Sequence, residues 1–385
     1  MTTSSGASSL GLVETRRVTL FDERDPLVLA SGATLAPVEV AYETYGTLDE
    51  TRSNAVYVCH ALTGDAHAAG YHDGAARPGW WDSMIGPGKP IDTDRLYVIS
   101  SNLLGGCDGT TGPSSPDPRT GEPYAQRFPT LGMADLVTVH RALCRHLGVE
   151  RLQCVIGGSL GGMQALQWVL DAPDEIDSVV LACSTSRLSA QNIAFSEVAR
   201  QSIMRDPGFH GGDYYGRGGG PRNGLAVARM VGHITYLSEE TLETRFGRRL
   251  QHGGSQPHGR LEIDFAIESY LHHQGDSFAA RFDANTYLSY TRVLDTFDPF
   301  PDEHAPVPAL AGCRTRFLVL SFSSDWRFGT AHSQRIARVL ERNGVRIRFA
   351  EIESPYGHDS FLLDVPEYLA AVQSFVREPE GDAGD

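Results

Sequence analysis

Short apolar runs of strand length recur along the chain, separated by longer stretches with helical spacing. Residues 38–42, 56–60, 96–100, 152–156, 179–182, 316–320 and 347–352 are such runs, rich in Val, Ile, Leu, Tyr and Phe. Short unbroken apolar runs of this kind fit strands buried on both faces, as in a parallel sheet covered by helices. Residues 133–147 repeat apolar side chains at helical spacing and stop at Gly148, a residue suited to the turn that ends a helix. A last helix is expected to start near Pro366, whose fixed φ fits a first helical turn. Strands alternating with helices predict an α/β fold with a largely parallel sheet.

The pattern changes between residues 184 and 301. Strand-like runs fade, and helical stretches take over at 190–204, 224–236 and 262–273, separated by glycine-rich segments at 216–220 and 253–259. We read residues 186–299 as a helical cap inserted into an α/β core made of 16–185 and 300–378. Residues 1–15, rich in Ser, Thr and Gly, are expected to be a disordered arm, and 379–385 a flexible tail. No internal repeat is present.

Composition narrows the function. The chain has 385 residues, 48 acidic against 33 basic, and a formal net charge of -15. Lys89 is its only lysine. Such a balance argues against nucleic acid, which calls for a basic stripe. No apolar run reaches the roughly 18 residues of a membrane span, and the N-terminus lacks the pattern of a secretory signal. The six cysteines are scattered, with no C-x-x-C pair, which fits a cytoplasmic protein without disulfides or structural zinc. No other metal signature appears. His67 and His72, and His272 and His273, are close in sequence without a recognised ligand spacing, and Gly88-Lys89 continues with Pro90, so it is no phosphate loop.

One motif carries chemistry. Gly157-Gly158-Ser159-Leu160-Gly161 spells G-x-S-x-G, directly after the strand-like run 152–156 and directly before the helical pattern 163–170. Strand, sharp turn and helix are the context in which this motif presents a nucleophilic serine, and they predict an α/β-hydrolase fold. A serine hydroxyl needs a neutral imidazole to take its proton and a carboxylate to orient that imidazole. In this fold the three follow in the order Ser, Asp, His. Asp325 follows the run 316–320 and His358 follows the run 347–352, so Ser159, Asp325 and His358 are expected to form the triad. His60 also ends a strand and is the rival base. The loop it opens normally supplies an N–H to the oxyanion hole, so we assign the two donors to the backbones of Leu62 and Leu160. Intact triad residues argue against a non-catalytic hydrolase-like binding protein.

Longer stretches around these residues resemble the homoserine O-acyltransferases of methionine biosynthesis, of the α/β-hydrolase type. They are His60-Ala61-Leu62-Thr63-Gly64-Asp65, Pro78-Gly79-Trp80-Trp81-Asp82, Gly105-Gly106-Cys107 with Gly112-Pro113-Ser114-Ser115, residues 157–164, and Tyr356-Gly357-His358-Asp359. The resemblance runs from about residue 38 to the last helix. It implies ping-pong acyl transfer from an acyl-CoA, a co-substrate and not a cofactor, through acyl-Ser159 to the hydroxyl of L-homoserine. It also implies a homodimer, with Arg229 and Asp359 as the substrate contacts. The sequence adds its own reason for Arg229. A charge in the apolar helical stretch Leu225-Ala226-Val227-Ala228-Arg229-Met230-Val231 needs an anionic partner, either a substrate carboxylate or an internal salt bridge. Arg327, two residues beyond Asp325, resembles the succinyl-CoA-using branch, and an arginine there suits a distal carboxylate unless it is a solvated loop residue. Homoserine O-succinyltransferase is therefore the favoured expectation. The alternatives are a homoserine O-acetyltransferase, a serine O-acyltransferase and a plain serine esterase.

Overall fold

The computed structural model describes residues 10–253 and 262–378. Its centre is an eight-stranded sheet of β1 (Arg16–Phe21), β2 (Val38–Tyr45), β3 (Ala55–Cys59), β4 (Tyr97–Ser101), β5 (Cys154–Gly158), β6 (Ser178–Ala182), β7 (Arg316–Phe322) and β8 (Ile347–Ile352), in the order β1-β2-β4-β3-β5-β6-β7-β8. β1 and β2 pair antiparallel, as do β2 and β4, and the remaining pairs are parallel.

The central strands are buried on both faces, which is why their sequences read as continuous apolar runs. Alternate side chains serve two cores. Val155, Val179, Leu181, Phe317 and Val319 pack with α1 (Met133–His146), α2 (Leu160–Asp171) and, further along the chain, the helix at Thr330–Arg342. Ile156, Val180, Leu318 and Leu320 face the other way, toward Tyr368, Val372 and Phe375 of the final helix at Pro366–Arg377.

Between β6 and β7 the chain leaves the sheet and forms α3 (Ala190–Met204), α4 (Arg222–Tyr236), α5 (Glu239–Arg245), α6 (Ala266–Arg281) and α7 (Ala284–Thr296). α4 lies between α3 and α6 at short range. A Cβ on Gly224 would stand 2.3 Å from the Ser202 carbonyl oxygen of α3, and one on Gly275 of α6 would stand 2.9 Å from the Ala226 carbonyl oxygen. The two helices that close the core are then α8 (Thr330–Arg342) and α9 (Pro366–Arg377).

The N-terminal arm expected over 1–15 is not free from Leu10 onward. Leu12 forms a bridge with Tyr71, the Val13 N–H donates to the Tyr71 carbonyl and the Tyr71 N–H to the Gly11 carbonyl, each at 2.9 Å. Leu10 and Val13 are apolar and pack on the core beneath, which a reading of the segment as merely polar overlooks. Residues 1–9, the tail 379–385 and residues 254–261 of the glycine-rich segment lie outside the described residues.

Candidate active site

β5 runs into α2 through Ser159, which sits at φ 57° and ψ -122°. A non-glycine residue in that region is strained and is held there by its surroundings. The surroundings are tight. A Cβ on Gly157 would lie 2.3 Å from the Gly161 carbonyl carbon, and one on Gly161 would lie 2.1 Å from the Cys59 carbonyl oxygen. Only glycine allows β5, the turn and the end of β3 to approach so closely.

Asp325 and His358 come to this serine from two other strand ends. Asp325 follows β7, and its Oδ1 accepts the backbone N–H groups of Arg327 and Phe328, each at 2.9 Å. His358 follows β8. Gly357 before it has φ 72°, and a Cβ there would stand 2.5 Å from the Ser238 nitrogen, so the histidine loop is wedged against the end of α4. The His358 Nδ1–H donates to Asp325 Oδ2 at 2.7 Å, and His358 Nε2 accepts from the Ser159 hydroxyl at 2.9 Å. Burial pushes the Asp325 carboxyl up, but His358 and the two backbone N–H groups outweigh it and hold the carboxyl below its ordinary value. The carboxylate therefore stays charged and fixes the imidazole so that Nε2 can take the serine proton.

His60 does something else. It is buried, its Nδ1–H donates to the Ala61 carbonyl at 2.7 Å, and its Nε2 accepts the Leu103 N–H at 3.2 Å. Both nitrogens are committed to backbone, and burial lowers its pKa to about 4. It shapes the turn after β3 that carries Leu62. The N–H of Leu62 and that of Leu160, the first residue of α2, have no acceptor among the described residues. Ser159 and Leu62 line the same cavity.

That cavity, of about 100 Å³, is closed by α4 and also lined by Thr63, Arg229, Tyr236, Arg327, Phe328, His358 and Asp359. Arg229 makes no ion pair among the described residues. Its Nη1 donates to Thr63 Oγ1 at 3.3 Å, its guanidinium lies 4.8 Å from the Phe278 ring centre, and its Nε is buried without a partner. The internal salt bridge that would have explained it is absent among those residues. Arg327 is not a solvated loop residue either. It is partly buried, its Nη1 donates to Thr235 Oγ1 at 2.6 Å, and it lies 5.1 Å from the Tyr236 ring centre. No described carboxylate pairs with it. The Asp359 carboxyl has no hydrogen bond among the described residues, and burial raises its pKa. Thr235 and Tyr236 gave no signal in the sequence, although Tyr236, seven residues after Arg229, falls on the same helix face.

Two groups of potential metal ligands converge among the described residues. In the first, the Glu43 carboxylate accepts from Thr15, Tyr45, His67 and His72 at 2.7–3.0 Å. The two imidazoles stack at 3.7 Å, and the nitrogens that face Glu43 are engaged as its hydrogen-bond donors. The second group contains Asp325 and His358, already engaged with each other, and Cys183. A larger cavity of about 610 Å³ lies in the cap beside α5, bordered by Glu239, Glu240, Glu243 and Trp326. Its three glutamates do not suit the phosphates of a nucleotide. No described helix is long and apolar enough to cross a membrane.

Known proteins bear on this geometry. Residues 54–365 match the family model described as alpha/beta hydrolase fold. The chain is 55% identical to a homoserine O-succinyltransferase of Magnetococcus marinus over 98% of this chain and 97% of the other. It is 50% identical to a homoserine O-acetyltransferase of Solidesulfovibrio magneticus, over 99% and 96%. Among solved structures it resembles homoserine O-acetyltransferase from Bacillus anthracis, with a TM-score of 0.86 and 27% identity over 95% of this chain and 98% of that one. The chain thus belongs to the α/β-hydrolase fold family, within its group of homoserine O-acyltransferases.

Proposed function

We propose that the protein is a homoserine O-succinyltransferase, moving a succinyl group from succinyl-CoA through Ser159 to the hydroxyl of L-homoserine. The observation that carries this reading is the charge inventory of the cavity. Two guanidinia without a salt bridge, Arg229 and Arg327, and one carboxylate without hydrogen bonds, Asp359, share it with Ser159 among the described residues, so positive charge is in excess there. O-Succinylhomoserine carries two carboxylates and one ammonium, the complementary set. An acetyl group brings no carboxylate to Arg327, and a neutral ester brings none to either guanidinium. A buried charge without its partner is costly, so the inventory favours succinyl over acetyl transfer and a transferase over an esterase. Similarity to the Magnetococcus marinus protein, named for succinyl transfer, points the same way.

In this reading Ser159 attacks the thioester carbonyl as its proton passes to His358 Nε2. The Leu62 and Leu160 N–H groups receive the oxyanion, and His358 returns the proton to the leaving CoA thiolate. Arg229 then holds the α-carboxylate of homoserine and Asp359 its ammonium. His358 takes the proton of the homoserine hydroxyl, which attacks the acyl-serine, and as the tetrahedral adduct collapses and releases the ester, His358 returns that proton to the Ser159 oxygen. Arg327 holds the distal succinyl carboxylate in both halves. CoA enters as co-substrate, and the residues of the chain supply all the acid–base steps.

The test compares succinyl-CoA and acetyl-CoA with homoserine and serine as acceptors. We expect the highest kcat/KM for succinyl-CoA with homoserine, and Ser159→Ala lowers kcat by on the order of 10⁴ or more. A higher kcat/KM with acetyl-CoA would sink the succinyl assignment. Near-full activity of Ser159→Ala would remove the covalent route. We further propose a cytoplasmic homodimer. Six free cysteines suit a reducing compartment, and exposed Ile193, Val198, Met204, Val227 and Ile234 on α3 and α4 supply an apolar face for a second copy.

A further inference from the structure

Arg327 sits on a loop beyond β7, on a long side chain with many rotamers. A guanidinium on such a stem discriminates between acyl groups only if something aims it before the substrate arrives. Its charged end meets one hydrogen-bond acceptor from the cap among the described residues, Thr235 Oγ1 on α4, at 2.6 Å. Thr235 is fully buried, and its own hydroxyl proton goes to the Gly232 carbonyl at 2.8 Å. With that proton committed, the oxygen presents lone pairs to Arg327. The Tyr236 ring, 5.1 Å from the guanidinium centre, supports the group from another side.

The chemistry of the anchor matters as much as its position. A carboxylate at residue 235 would hold Arg327 equally well and would neutralise it, competing with any incoming anion. A hydroxyl orients the guanidinium and leaves its charge available, with further N–H groups free for a bidentate grip on a carboxylate. The anchor is also rigid relative to the nucleophile. α4 ends against the two loops that carry Asp325 and His358: Trp326 Nε1–H donates to the Leu237 carbonyl at 2.9 Å, and the Ser238 hydroxyl donates to the Pro355 carbonyl.

We propose that Thr235 is the positioning residue that makes Arg327 a reader of the distal acyl carboxylate. This rests on the succinyl-transferase reading above. Thr235 is then a determinant of acyl-donor choice that lies in the cap and touches neither Ser159 nor the triad.

The experiment measures kcat/KM for succinyl-CoA and acetyl-CoA, with homoserine as acceptor, in the wild type, Thr235→Val and Thr235→Ser. Valine keeps the shape and removes the acceptor. Thr235→Val should lower the succinyl-to-acetyl ratio about tenfold or more, the usual scale for a hydrogen bond to a charged group, mainly through KM for succinyl-CoA. Thr235→Ser should restore most of the ratio. In an Arg327→Leu background, Thr235→Val should no longer change it. Equal losses with both donors, or an unchanged ratio, would overturn the proposal while leaving the succinyl reading intact. A wild type that does not transfer from succinyl-CoA would overturn both. Should Thr235→Val fail to fold, Thr235→Ala removes the same acceptor without adding bulk, and the same ratios decide.

Discussion

Arg229 and Asp359 act on one half of the proposed reaction only, and that separates them from the triad. The acceptor binds after CoA has left, so their loss should spare acylation of Ser159. Arg229→Ala and Asp359→Asn should each raise KM for homoserine by about ten- to a hundredfold, since each removes a charge-assisted contact. The rate of acyl-serine formation from succinyl-CoA, followed by mass spectrometry without homoserine, should change little. An equal fall in acylation rate would make these residues supports of the triad loops instead of substrate contacts. At this scale the sequence was informative where chemistry is tied to strand ends. Ser159, Asp325 and His358 each follow an apolar run and fall in the required order. His60 follows one too, and only its two backbone hydrogen bonds remove it as a base. Thr235 was illegible, because a threonine inside an apolar helix reads as packing until its partner from a distant loop is seen.

Among the elements, α4 combines the most tasks. It carries Arg229, Thr235 and Tyr236 on its inner side, and Val227 and Ile234 are exposed on its outer side. The spacing 224–236 located this helix within two residues, and α3 lies at the expected 190–204. Other elements were not read. β1 is an edge strand whose six residues are all at least partly exposed, so it shows no buried run. β5 begins at Cys154, not 152, because Leu152 bridges to Ile176 instead, and it extends through Gly157 and Gly158, which composition alone would assign to a turn. α8 is amphipathic and α7 is rich in hydroxyl side chains, so neither forms an obvious apolar run. If the outer face of α4 joins two copies, Val227→Asp with Ile234→Asp should convert the protein to a monomer in light scattering at micromolar concentration. A wild type that is already monomeric at those concentrations would remove the dimer.

The whole molecule holds several histidines neutral in its interior. His60 is one, and His140 another, whose Nε2–H donates to Gln164 Oε1 at 3.0 Å and whose Nδ1 accepts from the Tyr57 hydroxyl at 2.7 Å. Burial lowers both to about 4 from an ordinary 6.5. Protonating His60 in place would set a donor against the Leu103 N–H, and protonating His140 would place a charge in the apolar interior and force the Tyr57 hydroxyl to turn its proton away. Between pH 6.5 and 4 the unfolded chain therefore binds protons that the folded protein refuses. Stability from these groups is complete above about pH 6.5 and falls as the pH drops toward 4, by about 1.4 kcal/mol per unit for each histidine. The loss also reaches the active site, because His60 ties the Leu62 turn to Leu103. Urea unfolding followed at closely spaced pH values around 5.5 should show stability rising with pH, with a slope of about two protons from this pair. His140→Gln cannot titrate, so it should reduce that slope by about one proton, even if it lowers stability at pH 7 by disturbing Tyr57. An unchanged slope in this variant would mean that His140 is already charged in the folded protein, and the acid sensitivity would then rest on His60 and the other buried groups.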